Sequence, residues 1–519
     1  MKSRILAAAI PALLTLWQAS PALALDGAPF IHDPSTVVQS DGKWFTFGTG
    51  GDGLMSEDGW NWHSGAVRPG RGAAPDVMKI GDRYLVAYGA TGGGLAGGHN
   101  GRILTMWNKT LDPQSPDFKY SEAVVVASSD GIEDCDAIDP SLCLGPDSRL
   151  WLTYGTYFGF IRLVELDPKS GLRVEGNQPI NVAIDCEASD LIYRDGWYYL
   201  LGTHGTCCSG ANSTYNIRVG RSKSVTGPYL DNMGIDMLRG GGKLVVAANG
   251  RQIGAGHFGL TDLGDGVQKF SCHYEADLDR GGASILDIRA LLWKDGWPVA
   301  GENFTGGTFE IQSERSGYAL ELGVEAAPLG GGRGGARGGA RAGGAGGRAG
   351  APGGAGDTNA IAGGGARRGG GGGRGMFGGQ GGVIPAQDVA DVSKNWPAGN
   401  LEIRLGDYML QAHQKWTIAP VTNATGFLGS PSFRITIAGT DRALAATADG
   451  EVVAVPAFTG SPEQLWRIDQ LIDGTYRIMP KAVPESNEPL ALTAVGASTP
   501  SLTKFDPKSD KARWNFKTP

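Results

Sequence analysis

Four ionisable residues of this chain recur at one spacing. Asp33, Asp139, Glu187 and His257 each stand eight positions ahead of an aspartate at a tight turn, namely Asp41, Asp147, Asp195 and Asp265. Side chains alternate along a strand, so equal distance from equivalent turns predicts one shared face and a similar depth. Three carboxylates and an imidazole gathered in this way suit hydrolysis of a glycosidic bond. One carboxyl protonates the leaving oxygen, another activates water, and their surroundings must push their pKa values apart. Taken singly, the same residues have plainer uses. An aspartate before a proline, as in Asp33-Pro34 and Asp139-Pro140, shapes a turn, and a lone histidine such as His257 can be a core residue. The recurrence is what argues for chemistry.

The elements that must position these residues are legible as repeats. Each turn is followed by an aromatic-rich strand, as in Asp41-Gly-Lys-Trp-Phe-Thr-Phe-Gly48, Asp82-Arg-Tyr-Leu-Val-Ala-Tyr-Gly89 and Asp195-Gly-Trp-Tyr-Tyr-Leu-Leu-Gly202. Asp147-Ser-Arg-Leu-Trp-Leu-Thr-Tyr-Gly155 is a further copy, and the one at Asp265 is looser. The second copy has Ala74 in the shared phase, with Asp76 two residues later. The turns lie 41, 65, 48 and 70 positions apart, each interval holding about four short strands, the content of one propeller blade. Helical periodicity is nearly absent between them. An all-β fold follows, with a five-bladed β-propeller whose first strands line a central channel.

Composition narrows the partners. The first 24 residues read as a secretory signal, with Lys2 and Arg4, an apolar run from Ile5 to Trp17, and Ala22-Leu23-Ala24 as a cleavage site. That run is too short to span a bilayer, and no later segment replaces it, so no membrane partner is expected. The formal charge is −7; setting aside the signal (+2) and the Gly/Arg-rich tract 330–382 (+6) leaves −15, which argues against nucleic acid. The six cysteines do not make a disulfide scaffold in a chain of 519 residues. The adjacent pair Cys207-Cys208 is expected to pair elsewhere if at all.

The stretch Glu187-Ala-Ser-Asp-Leu-Ile-Tyr-Arg-Asp-Gly-Trp-Tyr-Tyr-Leu200, with Cys207-Cys-Ser-Gly-Ala-Asn-Ser-Thr-Tyr-Asn-Ile-Arg-Val-Gly-Arg-Ser222 and Gly227-Pro-Tyr229, resembles glycoside hydrolase family 43, and within it the endo-α-1,5-L-arabinanases. Asp136-Ala-Ile-Asp139, Tyr154-Gly-Thr-Tyr-Phe158 and Leu163-Val-Glu-Leu-Asp-Pro168 match as well, and the resemblance runs from about Ile31 to Pro298. It implies a five-bladed propeller and hydrolysis with inversion. It implies Asp33 as general base, Glu187 as general acid, and Asp139 as the residue that holds the acid and raises its pKa. Asp136, Ala137, Ile138, Thr156, Tyr157 and Phe158 would form substrate-binding walls. His257 would anchor an axial metal, usually calcium, largely through water, since calcium prefers oxygen ligands. The chain departs from the family pattern where Trp-Ala-Pro-Asp is usual and Ala73-Ala74-Pro75-Asp76 stands instead. A stacking platform is lost there, and endo versus exo action is left open.

After Phe304 the texture changes. Phe309-Glu-Ile311, Phe433-Arg-Ile435 and Tyr476-Arg-Ile478 repeat one strand, and Gln414-Lys-Trp416, Gln464-Leu-Trp466 and Ala512-Arg-Trp514 repeat a second element. Three such lobes resemble the ricin-type β-trefoil of carbohydrate-binding modules, with the tryptophans in a common core. The residue resembling that family's sugar-binding aspartate is Glu321 in the first lobe, against Ala445 and Thr493 in the others. Tract 330–382 interrupts the first lobe; glycine fills 28 of its 53 positions, too apolar-poor a composition to offset ordering entropy.

The domains expected are a signal at 1–24, a propeller at 25–303 and a trefoil at 304–519 with a disordered insert at 330–382. The function expected is that of a secreted, monomeric glycoside hydrolase acting on polysaccharide, the α-1,5-arabinan of pectin side chains. The alternatives are an exo-acting α-L-arabinofuranosidase or β-xylosidase of the same family, and a non-catalytic sugar-binding propeller.

Overall fold

The computed structural model describes residues 25–90, 100–129, 136–156, 159–324, 389–496 and 499–519. The expected signal at 1–24, the tract 330–382, and Tyr157 and Phe158 lie outside them. The described residues are nearly all strand and loop, with one short α-helix at Val389–Val392.

Five sheets follow one another along the chain, antiparallel except for the parallel pairing of Asp26–Gly27 with Asn61 and Trp62 in the first, in agreement with the propeller expected from the repeats. Their inner strands are Val38–Ser40, Ala73–Ile80, Ser141–Leu144, Glu187–Arg194 and Gln252–Asp262. Each pairs with the aromatic-rich strand after its turn, as Val38 with Phe45 and Ile192 with Tyr199. Those aromatics fill the space between neighbouring sheets. Phe45 and Phe47 pack with Val77, Tyr84 and Val86, while Tyr199 packs with Phe258 and Phe270. The ring closes through the N-terminal segment. Ile31 N–H donates to Ser284 O at 3.3 Å and Leu286 N–H to Pro29 O at 2.8 Å, tying the start of the first blade to the fifth.

The turns are less uniform than their aspartates suggest. Asp41-Gly42 and Asp195-Gly196 both take positive φ at two central residues (50° and 79°, 49° and 78°), the two-residue hairpin geometry that Asp-Gly favours. In the second blade the turn begins one residue earlier, at Gly81, and the third and fifth blades use longer loops. Counting eight back from the aspartates still meets one backbone feature in every blade but the fourth. Asp33, Ala74, Asp139, Ala188 and His257, one per blade, have φ of 53°, 44°, 53°, 46° and 55°. In the second, fourth and fifth blades this kink falls inside a register shift of the inner strand. The fourth-blade member is Ala188, so Glu187 precedes the kink by one residue and does not share the phase of the other three. The register shift between Glu187 and Asp190 offsets the fourth blade by one residue at this point.

Asp76 fastens three blades at once. Its two carboxylate oxygens accept Thr36 N–H of the first blade at 3.1 Å and Leu142 N–H of the third at 2.8 Å, and it is buried.

The C-terminal segment forms three successive units of four strands: Gly307–Ser313 to Trp416–Pro420, Phe433–Ile437 to Trp466–Gln470, and Tyr476–Pro480 to Trp514–Lys517. Trp416, Trp466 and Trp514 are wholly buried, and each indole N–H donates to a leucine carbonyl one strand pair earlier: Leu320, Leu444 and Leu492, at 2.7, 3.0 and 2.8 Å. They are core residues. This segment packs directly on the propeller, where Leu428 joins the cluster of Trp44 and Trp60 and Arg477 links Asp265 (2.5 Å) with Asp469 (2.7 Å).

Asp76→Ala strips two buried N–H groups of their acceptor. It should lower stability by about 2–4 kcal/mol, read as a reduced urea midpoint, and an unchanged midpoint would show that the three-blade tie carries no stability.

Candidate active site

The kinks turn the inner strands toward the propeller axis, and a cavity of about 150 Å³ lies where they converge. Its lining includes Asp33, Asp139, Glu187 and His257, brought together from four blades, with Asp136, Ile138, Thr156, His32, Ala73, Tyr215, Cys207 and Cys208. Of the expected substrate walls, Asp136, Ile138 and Thr156 therefore face the cavity. Ala137 is buried in the adjacent core instead, and Tyr157 and Phe158 lie outside the described residues. Ala73 occupies the wall where the resemblance expects an indole. A larger cavity of about 660 Å³ opens at the opposite end of the same strands, among Val38, Met78, Leu144 and Ile192. It contains none of the three carboxylates expected to act, all of which line the smaller one.

Asp33 is surrounded by imidazoles. His32 Nδ1 is 2.8 Å and His257 Nδ1 3.2 Å from its Oδ1, while Thr49 Oγ1 donates to Oδ2 at 2.5 Å. Burial by itself would raise the pKa of Asp33, but His257, His32 and His273 outweigh it and hold the carboxyl well below its ordinary range. His257 is itself pushed down to about 4 by burial and is uncharged near neutrality. His32 remains. Burial works against its charge too, yet hydrogen bonds to Asp33 and Glu275 carry it up to about 10. Imidazolium between two carboxylates is the state that keeps Asp33 ionised.

Glu187 experiences the reverse. It is buried, and that burial, followed by the charges of Asp139, Asp33 and Glu275, pushes it up to about 9. Burial and the nearby Asp33 and Asp136 also raise Asp139 well above its usual value, against the Ala188 N–H that donates to it at 3.2 Å. That contact fixes the residue next to Glu187, so Asp139 touches the acid's backbone as well as its field. Tyr215 O–H donates to Glu187 Oε1. One carboxyl that keeps its proton facing one that has lost it is the pairing acid–base hydrolysis requires.

Sequence reasoning missed several members of this site. Tyr215 lay inside a quoted stretch with no role given; His32, Thr49, His273 and Glu275 carried no signal beyond His32 being adjacent to Asp33 and His273 sitting two residues before Glu275. The adjacent cysteines were misjudged: Cys207 and Cys208 are bonded to each other. Cys208 takes a left-handed φ of 60°, which brings the two sulfurs to the same side. Three of the five kinks precede a proline, at Asp33-Pro34, Ala74-Pro75 and Asp139-Pro140, whereas Ala188-Ser189 and His257-Phe258 carry no such mark.

The fit of a cation at His257 is narrow. Both ring nitrogens are buried without a hydrogen bond, and Asp33 and Asp139 oxygens lie 3.2 and 4.0 Å away. Calcium takes about six to eight oxygens. His257 offers nitrogen, and the cavity behind it is only about 20 Å³. The residues present fit a cation whose coordination comes mostly from water. Tighter clusters of metal-type donors among the described residues gather around His32, with Asp33 and His273 or with Cys207, Cys208 and Glu275, and His257 belongs to neither.

Comparison with known proteins agrees with this geometry. Residues 46–298 match the glycosyl hydrolases family 43. An extracellular endo-α-(1→5)-L-arabinanase of Bacillus subtilis (strain 168) is 33% identical over 322 residues, covering 57% of this chain and 93% of that protein. The chain belongs to glycosyl hydrolase family 43. Also similar is an extracellular exo-α-(1→5)-L-arabinofuranosidase of Cellvibrio japonicus (strain Ueda107), 30% identical over 308 residues, 52% of this chain and 86% of that one. A crystal structure of an exo-1,5-α-L-arabinanase from a bovine ruminal metagenomic library is 32% identical with a TM-score of 0.49, covering 54% of this chain and 99% of that chain. This family 43 enzyme is a glycoside hydrolase, and among its described residues no helix is long and apolar enough to cross a membrane.

Turnover of this family 43 enzyme should fall on the alkaline side as Glu187 loses its proton near pH 9. Tyr215→Phe removes a donor to the ionised form, which raises the pKa, so the alkaline limb should move to higher pH. A pH–rate profile checks both, and an alkaline limb that stays in place would exclude the tyrosine from the acid's environment.

Proposed function

We propose that this family 43 enzyme is a secreted, monomeric arabinan hydrolase that cleaves α-1,5-linked L-arabinofuranosyl chains internally and inverts the anomeric centre. The observation that carries the reading is the opposed ionisation of two carboxyls on one cavity, Asp33 low and Glu187 high. Similarity to an extracellular endo-arabinanase at 33% identity supports the substrate class and the secretion. The basic and apolar N-terminus supports secretion independently.

In this mechanism Glu187 gives its proton to the leaving glycosidic oxygen, which needs a neutral carboxyl at working pH. Asp33 takes a proton from the attacking water on the other side of the sugar. Asp139 keeps Glu187 protonated by its proximity and holds Ala188, hence the acid's backbone, through the 3.2 Å hydrogen bond. His32 keeps Asp33 ionised. Inversion calls for about 6.5–9.5 Å between the acid and base carboxyls, enough to admit water, and placement on the fourth and first blades suits that width. Asp136, Ile138 and Thr156 form the sugar-facing wall. His257 would hold a calcium ion, largely through water, and the ion would supply positive charge to the site.

Asp33→Asn and Glu187→Gln should each lower hydrolysis of debranched arabinan by about 10²–10⁴-fold with melting unchanged. NMR of the first sugar released should show the anomeric configuration opposite to that of the substrate, and the early products should be a ladder of oligosaccharides. Retention of configuration, or near-normal turnover in either variant, would end the assignment. Removal of divalent cations by a chelator should reduce turnover and calcium should restore it; full activity after exhaustive chelation would remove the metal from the reading.

A further inference from the structure

Glu275 sits at a junction behind the catalytic cavity. Its Oε1 is 3.2 Å from His32 Nε2 and 3.6 Å from His273 Nε2, and it accepts Cys208 N–H at 3.1 Å. The other nitrogen of each imidazole faces Asp33. His32 Nδ1 lies 2.8 Å from the carboxylate, and His273 Nδ1 accepts the Asp33 N–H at 3.0 Å. The two rings stack with centroids 4.5 Å apart. Asp33 is therefore held at its side chain and its backbone by two imidazoles that share one carboxylate. That carboxylate is buried, and its only backbone donor among the described hydrogen bonds is Cys208.

Cys208 can make this contact because its backbone is left-handed, with φ of 60°. That conformation is unfavourable for a residue other than glycine, so something must enforce it. The bond from Cys208 to Cys207 closes a small ring around the peptide between them and leaves the chain few other conformations. The pair lines the cavity, and Cys208 is exposed.

We propose that the Cys207–Cys208 disulfide is a positioning element for the hydrolytic base. It holds Cys208 N–H on Glu275, Glu275 hydrogen-bonds His32 and lies beside His273, and the two imidazoles hold Asp33. The proposal rests on the reading of Asp33 as base. When the disulfide is broken, Cys208 leaves the left-handed region, Glu275 loses its backbone donor, and the imidazoles lose their common anchor. Asp33 then samples orientations in which its oxygen no longer meets the attacking water. The loss falls on turnover more than on sugar binding, because the walls Asp136, Ile138 and Thr156 come from the third blade.

The bond can be opened chemically. A dithiol delivers two electrons and two protons, leaving thiols on Cys207 and Cys208 and becoming a cyclic disulfide itself; an oxidant of the disulfide class reverses the exchange. Among the described residues this is the one disulfide, and Cys143, Cys186 and Cys272 are buried free thiols.

The full chain, treated with a dithiol and assayed on arabino-oligosaccharides with its thiols counted, should lose about 10–100-fold in kcat with KM held within about twofold. Reoxidation should restore kcat. Cys207→Ser/Cys208→Ser should match the reduced enzyme and ignore the dithiol. Unchanged kcat with two new thiols counted overturns the proposal. So does a loss confined to KM, which would make the disulfide a wall of the sugar site only. The two readings fail separately: an active Asp33→Asn variant defeats the role of the base, whereas full activity of the reduced enzyme beside an inactive Asp33→Asn variant defeats the positioning role alone. Should the double variant not fold, reduction and reoxidation of the native chain still decide.

Discussion

The left-handed kink repeated once per blade is the constraint on which the rest of the site depends. Each occurrence costs about 1–2 kcal/mol outside glycine, and none of the five is glycine. The cost is offset by capture of the kinked backbone. Asp33 N–H donates to His273 of the fifth blade, Ala74 N–H to Thr49 of the first, Ala188 N–H to Asp139 of the third, and His257 N–H to Thr203 of the fourth, at 2.9–3.2 Å. In each of these four the acceptor is a side chain of the preceding blade. A strain that any single sheet would relax is thus locked by its neighbour, and the lock exists only once the ring has closed. Three of the acceptors, Thr49, Asp139 and His273, also act on Asp33 or Glu187. Fold and chemistry share the same hydrogen bonds.

Opposed charge states arise from the same arrangement. Asp33 and Glu187 are both shielded from water, and burial drives both toward the neutral form. What separates them is company. Asp33 faces His32, which Glu275 helps keep charged, whereas Glu187 faces Asp139 and the phenol of Tyr215. Like-charged neighbours reinforce burial at one carboxyl, and an imidazolium overrides it at the other. The gathering of His32, His257 and His273 within 4 Å of Asp33 is the electrostatic design of the site.

The C-terminal units bear on this only at a distance. Their three tryptophans are spent on their own core, each indole anchored to a leucine carbonyl. Where they meet the propeller they do so at its outer turns, through Leu428 beside Trp60 and through the buried cluster of Asp469, Arg467 and Arg477. The contact braces the first and fifth blades, the two that must meet for the ring to close.

From the sequence by itself came the number of sheets, because aromatic strands after turns are a local pattern, and the expectation that Asp33, Asp139 and Glu187 gather at one place, because ionisable residues on apolar strands stand out. The hairpins at Asp41-Gly42 and Asp195-Gly196 followed from turn chemistry alone. Tertiary structure decided the rest. Glu187 was placed in phase with Asp33 by counting from a turn, yet it is Ala188 that occupies the equivalent kink; a register shift inside a strand leaves no mark on residue spacing. The bond between Cys207 and Cys208 depends on one backbone angle that composition does not encode. His32, Thr49, Tyr215, His273 and Glu275 become parts of the site only when blades distant in the chain are brought together, as with His32 and Glu275, 243 positions apart. Strand pairing is a local matter that sequence periodicity records, whereas the hydrogen bonds and fields that set each ionisation act through space and have no periodicity to read.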